Sequence, residues 1–230
     1  MHSDFFTATK GGLVVSCQAL PEEPLHSSEI MARMAKAAEM GGAVGIRANS
    51  VKDIREIKKV VNLPVIGIIK RVFETSEVYI TPTITEIDAL CDANADVIAL
   101  DATDRVRPDG ERISEFFTRV RKLYPNKVFM ADCATYEDAE RAYNLGFDCV
   151  GTTLRGYTDE TRGIKIPDFE LLEKLADSIR IPIIAEGGIS TPEELARVLS
   201  IKNIHCAVVG GAITRPQLIC KKFTDAIKKS

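Results

Sequence analysis

The chain of 230 residues contains no tryptophan, and aromatic residues make up only 6% of it. Long apolar runs are missing too. None approaches the roughly 18 residues that a membrane-spanning helix requires. The opening MHSDFFTATKGG has no basic start followed by an apolar stretch, so it predicts no signal peptide. Excess charge of one sign is also absent: 30 Lys and Arg stand against 33 Asp and Glu, interspersed, for a net charge of −3. That balance excludes the basic stripe of a nucleic-acid binder and the acidic tail of a disordered segment. Histidine is limited to His2, His26 and His205, without metal-ligand spacing. No C-x-x-C, H-E-x-x-H, G-x-G-x-x-G or G-x-x-x-x-G-K-[ST] occurs, which removes the common zinc, dinucleotide and nucleotide readings. No metal and no cofactor is expected. The six cysteines, at 17, 91, 133, 149, 206 and 220, are expected to be reduced, buried small hydrophobes of a cytoplasmic protein.

What the chain does have is a repeating pattern. It is 45% hydrophobic and 27% charged, enough to bury a core. Eight strand-length apolar runs recur, at 13–17, 44–47, 65–70, 97–101, 128–132, 149–152, 183–186 and 206–209. They are continuous rather than alternating, as strands covered on both faces should be. Helical patterns lie between them. Ser50–Asp53, Thr83–Glu86, Thr135–Asp138 and Thr191–Glu194 fit the S/T-x-x-D/E start signal, and Pro192 suits a first helical position. Eight strand–helix units at about 29 residues each predict a single-domain α/β fold over residues 1–230, a closed (β/α)8 barrel. An open doubly wound sheet is the alternative, disfavoured by the missing dinucleotide fingerprint.

A barrel does its chemistry where strands end and βα loops begin. Charged residues collect there: Arg47 after strand 2, Lys70 after strand 3, Asp101 after strand 4, Asp132 after strand 5 and Glu186 after strand 7. Strands 3 and 7 lie across an eight-stranded barrel, so Lys70 and Glu186 face one another. A desolvated lysine there is a candidate base, because burial lowers its pKa. Arg47, on the next strand, would depress it further and stabilise a developing oxyanion. Asp132 would orient Lys70 or satisfy a neighbouring donor. The glycine pairs Gly187–Gly188 and Gly210–Gly211, directly after strands 7 and 8, suit a phosphate, since backbone N–H groups approach an anion closely there. Arg215 would pair with it or lie at the surface. The long stretches RVFETSEVYITP, ATDRVRPDGE and TLRGYTDETRG are expected to cover the site.

Taken together, the segments VSCQALPEEPLHS, GGAVGIRAN, PVIGIIKR, YITPT, ALDAT, MADCAT, GFDCVGTTLRGYT, IIAEGGISTPEEL and AVVGGAITRPQLI resemble the N-acetylmannosamine-6-phosphate 2-epimerases of bacterial sialic acid breakdown. The resemblance runs almost the whole length, in order. It implies a metal-independent barrel that interconverts N-acetyl-D-mannosamine 6-phosphate and N-acetyl-D-glucosamine 6-phosphate. It implies Lys70 and Glu186 as acid–base groups with Arg47 and Asp132 beside them, and Gln18, Arg215 and the glycines as substrate-binding residues. Thr153, just after strand 6, joins these as a candidate. Two positions depart from the family pattern. Many relatives carry a bulkier residue, often arginine, where Gly188 stands, and a small one where Arg155 stands. The expected partner is a small sugar phosphate, with no nucleic acid and no membrane; a homodimer is the candidate assembly. Two other readings fit the residues. One is a phosphate-binding barrel lyase or isomerase with Lys70 as a Schiff-base amine; the other is a sugar-phosphate sensor without catalysis.

Overall fold

The computed structural model describes residues 2–227. Eight parallel strands close on themselves in sequence order, β1 pairing with β8. They are β1 Leu13–Cys17, β2 Gly45–Asn49, β3 Val65–Ile68, β4 Val97–Asp101, β5 Val128–Asp132, β6 Cys149–Gly151, β7 Ile183–Glu186 and β8 Ile204–Val209. The helices that alternate with them are α2 Ser28–Met40, α3 Val51–Val60, α4 Ile84–Asp92, α5 Ile113–Leu123, α6 Tyr136–Leu145, α7 Phe169–Ser178 and α8 Pro192–Ser200, and they follow α1 His2–Thr9. After β8 come the short α9 Gly211–Thr214 and α10 Pro216–Ile227. The fold is therefore the closed barrel and not the open sheet. Residue 1 and residues 228–230, at the edges of the expected domain, lie outside the described residues, as does the His2 side chain.

The start signals act as their chemistry requires. Thr83 and Thr135 each close a full capping box, with Glu86 and Asp138 reaching back to the cap backbone. Ser50 and Thr191 accept the N–H groups of Asp53 and Glu194, and Pro192 opens α8. Each such cap satisfies helix N–H groups that have no partner within the helix.

Side chains alternate along each strand, which divides the interior in two. Val14, Ile66, Ile68, Val97, Ala99, Met130, Ile184, Cys206 and Val208 point into the barrel and pack with one another. Val15, Ile46, Ala48, Ile98, Leu100, Phe129, Ala131, Val150 and Ile183 point outward under the helices. Following the inward set to the carboxyl end of each strand brings up Ser16, Arg47, Asp101, Asp132 and Glu186. The period of two, more than strand length, selects which polar residues face the barrel mouth.

Several boundaries differ from expectation. β2 runs on to Asn49, and β8 begins at Ile204. β3 stops at Ile68, so Lys70 is a loop residue, held instead by an antiparallel bridge to Ile80 and by its N–H donating to Asn49 Oδ1 at 2.8 Å. Helix α1 has too few residues to show a period. Its Phe5 packs with the inward-facing set at the amino end of the barrel, and Thr9 Oγ1 lies 3.2 Å from His205 Nε2. Of the cysteines, 17, 133, 149 and 206 are buried, but Cys91 is half-buried on α4 and Cys220 is exposed on α10, which corrects the expectation for those two. All six are free thiols.

Candidate active site

A cavity of about 570 Å3 opens at the carboxyl ends of the strands. Among its walls are Gln18, Arg47, Lys70, Thr153 and Glu186, with Gly187, Gly188, Gly210, Gly211 and Arg215. Of the residues expected from sequence at the site, all line it except Asp132, which is fully buried just beneath, and Asp101, also fully buried.

Arg47 organises the floor. Its Nη1 and Nη2 donate to Asp132 Oδ1 and Oδ2 at 3.1 and 2.6 Å, a two-pronged pair that neither partner exposes to water. Nη1 also stands 3.2 Å from Glu186 Oε2. Burial alone would weaken the Arg47 cation, but the Asp132 and Glu186 carboxylates outweigh it and hold its pKa above the ordinary arginine value. Arg47 Nε is buried without a hydrogen-bond partner. Asp132 thus satisfies Arg47 rather than orienting Lys70. Thr153 Oγ1 lies 2.7 Å from Asp132 Oδ1 and 2.9 Å from Glu186 Oε2, so its hydroxyl is turned to the carboxylates. Burial pushes the Glu186 pKa up; Arg47 opposes this, and Asp132 adds to it.

Lys70 faces this cluster from across the barrel, since β3 and β7 are four strands apart. Its Nζ makes no hydrogen bond or ion pair among the described residues. Burial pulls its pKa down, and the Arg47 and Arg215 cations pull it further. A lysine in that state loses its proton more readily than an exposed one.

Arg215 is half-buried and lines the cavity. Its Nε and Nη2 donate to the two oxygens of Glu23, the latter at 3.0 Å, and Gln217 Nε2 donates to Glu23 Oε1 at 3.0 Å. The Leu20 N–H completes the set at 2.7 Å. The Arg215 hydrogen bond is the main reason the Glu23 pKa lies below the usual carboxylate range. Gln18 donates through Nε2 to Ser16 Oγ at 2.8 Å, while its Oε1 is buried without a partner. Gly188 has φ +75°, and a Cβ there would lie 2.5 Å from the Ile166 carbonyl carbon. Only glycine fits, because the segment before α7 occupies the space a side chain would need. Arg155, the other departure, is tied outside the cavity: Nε and Nη2 donate to Asp168 Oδ2 at 2.9 and 2.7 Å.

Two of the three long loops reach the cavity, through Tyr79 and Ile80 after β3 and Thr153 and Tyr157 after β6. The loop after β4 does not. Buried Arg107 pins it by donating to the carbonyls of Thr81, Pro82 and Asp101, and Asp101 is taken by Arg105 at 2.6 Å. Sequence reasoning missed Glu23, Tyr79, Tyr157, Ser190 and Lys222. Glu23, Tyr79, Tyr157 and Ser190 stood within the quoted LPEEPLHS, VYITP, TLRGYT and EGGIS stretches without being singled out; Lys222 lay outside every quoted segment.

With a lysine and a glutamate opposed across one cavity, comparison with known proteins becomes decisive. Residues 31–229 match the NanE family model, described as "Putative N-acetylmannosamine-6-phosphate epimerase". The chain belongs to this family. Relatives carrying the name "Putative N-acetylmannosamine-6-phosphate 2-epimerase" include one from Enterobacter sp. (strain 638), 55% identical over 95% of this chain and 94% of its own. Another, from Clostridium perfringens, is 54% identical over 95% of this chain and 98% of its own. The solved N-acetylmannosamine-6-phosphate 2-epimerase from Clostridium perfringens superposes with a TM-score of 0.93 at 52% identity, covering 98% of this chain and 97% of that one. A thiamine phosphate pyrophosphorylase from Pyrococcus furiosus shares the fold alone, with a TM-score of 0.62 at 18% identity over 90% of this chain and 89% of that one.

Proposed function

We propose that the chain inverts C2 of N-acetyl-D-mannosamine 6-phosphate to give N-acetyl-D-glucosamine 6-phosphate, in amino sugar breakdown in the cytoplasm. The observation that carries this reading is the opposition of Lys70 and Glu186 across one cavity, in a chain 54% identical to relatives of that name.

The chemistry requires a C2 hydrogen made acidic by a neighbouring carbonyl. In the closed sugar C1 is not a carbonyl, so the ring opens first, with a group to move the hydroxyl proton. Glu186 serves that step. Lys70, neutral, then takes the C2 proton; the resulting enolate is stabilised by the nearby Arg47 cation, and a proton returns to the other face. Lys70's depressed pKa gives it a larger neutral fraction near neutrality than an ordinary lysine. Activity governed by it rises as pH rises through that pKa. Gly187, Gly188, Gly210 and Gly211 hold the phosphate with Arg215, whose fork Glu23 keeps in place; Gln18 contacts the sugar. Binding the remote phosphate helps to orient the reacting carbon. The scheme uses no metal and no cofactor. A homodimer belongs to the same proposal, supported by α10, which buries no residue and leaves Phe223 exposed; light scattering in solution tests it.

Proton NMR of N-acetylmannosamine 6-phosphate in deuterium oxide reports product and C2 exchange together. Both are expected with the wild type. Lys70→Ala should lose both by at least about two orders of magnitude. Exchange at the wild-type rate in that variant would remove Lys70 as the base. Glu186→Gln that exchanges C2 without forming product would make Glu186 the second-face proton donor; loss of both assigns it to ring opening.

A further inference from the structure

Thr153 follows β6 and reaches between the ends of β5 and β7. Its Oγ1 lies within hydrogen-bond distance of two carboxylates, Asp132 Oδ1 at 2.7 Å and Glu186 Oε2 at 2.9 Å. A hydroxyl has one proton to donate, so it serves one of them at a time. Arg47 Nη1 faces the same two oxygens, at 3.1 and 3.2 Å. The two acceptors are not equivalent. Asp132 is also held through its second oxygen by Arg47 Nη2 at 2.6 Å. Glu186 Oε1 makes no hydrogen bond or ion pair among the described residues, which leaves that oxygen to the cavity that Glu186 lines.

We propose that Thr153 is the positioning residue of Glu186: it donates to Glu186 Oε2 while that carboxylate is ionised and turns to Asp132 Oδ1 when Glu186 carries a proton on Oε1. This rests on reading Glu186 as an acid–base group. The proton in transit moves only between Glu186 Oε1 and an oxygen of the substrate. Thr153 breaks no bond; its O–H swings about Cβ–Oγ. Glu186 thereby passes through both protonation states with Oε2 still anchored by Arg47 and Oε1 still facing the cavity. A second acceptor matters because a donor fixed on Oε2 would favour the ionised form throughout, whereas Oε2 of the neutral acid is a weaker acceptor than the Asp132 carboxylate, to which the hydroxyl can turn.

The groups facing Glu186 are Arg47 from β2, Lys70 after β3, Asp132 from β5, Thr153 after β6 and Cys206 from β8. Burial raises the Glu186 pKa, and the Thr153 hydrogen bond is among the contributions that lower it. Removing the hydroxyl therefore moves the Glu186 titration to higher pH.

The test compares wild type, Thr153→Val, which keeps the shape without the hydroxyl, and Thr153→Ser, which restores it. Carbon NMR of carboxyl-labelled glutamate, with the Glu186 signal identified by its loss in Glu186→Gln, follows the titration in the free protein. In Thr153→Val the Glu186 pKa should rise by at least about half a unit. Its kcat on N-acetylmannosamine 6-phosphate should fall about 10- to 100-fold with KM nearly unchanged, as for a misplaced acid–base group. Thr153→Ser should recover both. An unmoved titration in Thr153→Val, or a serine variant as impaired as the valine one, overturns the proposal. Wild-type protein that does not epimerise this sugar phosphate defeats the functional reading instead, and the NMR titration still judges the Thr153 geometry.

Discussion

Arg47→Met removes the guanidinium that holds both oxygens of Asp132, at 3.1 and 2.6 Å, and stands 3.2 Å from Glu186. Methionine fills much of the same volume, so lost packing is the smaller part of the effect. The larger part is two carboxylates left facing each other, with the Thr153 hydroxyl as their shared donor. Breaking a buried pair in this way costs about 3–5 kcal/mol, against a total stability of roughly 5–15 kcal/mol for a folded domain. The sign of the pH dependence follows from Glu186, whose pKa burial raises and Arg47 opposes. Without Arg47 it rises further. A carboxylate with a raised pKa in the folded state binds more protons there than in the unfolded chain. Its penalty is therefore absent below the unfolded value of about 4.3 and grows as pH climbs toward the folded one. The deficit of Arg47→Met should be full near pH 7.5 and smaller near pH 5. Urea unfolding followed by circular dichroism at both pH values, at one protein concentration, measures it. A loss below about 1 kcal/mol near pH 7.5, well under the range for a broken buried pair, would refute the reasoning, as would a deficit that grows on acidification. The double variant Arg47→Met/Asp132→Leu should be less destabilised than Arg47→Met alone, because it buries no unpaired Asp132 charge.

Two further outcomes follow from the cavity walls. Gly188→Ala sets a Cβ 2.5 Å from the Ile166 carbonyl carbon at φ +75°. The loss of about 1–3 kcal/mol expected for such overpacking should lower Tm by several degrees in a thermal melt, and an unchanged Tm would mean the loop yields freely. Arg215→Ala should raise KM by about 10- to 100-fold, the equivalent of a charged hydrogen bond, with a smaller effect on kcat; a fall in kcat at constant KM would show that Arg215 acts on the reacting carbon rather than on the phosphate.

Much of the fold was written along the chain because it depends on local and periodic signals. Eight apolar runs, four cap signals and Pro192 specify the strand–helix alternation, and a closed parallel barrel is what buries eight such strands on both faces. Alternation along the strands then dictates that Arg47, Asp132 and Glu186 share the interior, and strand count alone opposes Lys70 to Glu186. The glycine pairs after β7 and β8 are legible for the same reason, since position in the order of strands fixes their place around the mouth. What tertiary structure alone decided is which of the charged strand ends meet. Asp101 and Asp132 both end inward-facing strands, yet Asp101 is taken by Arg105 of its own loop, while Asp132 is taken by Arg47 from three strands away. Nothing local distinguishes the two. The same holds for Thr153 between two carboxylates, for Glu23 holding Arg215 from the opposite end of the chain, and for Phe5 packing into the barrel's amino end. Each is a contact between residues far apart in sequence, made by side-chain reach and closure of the barrel, and sequence periodicity carries no information about either.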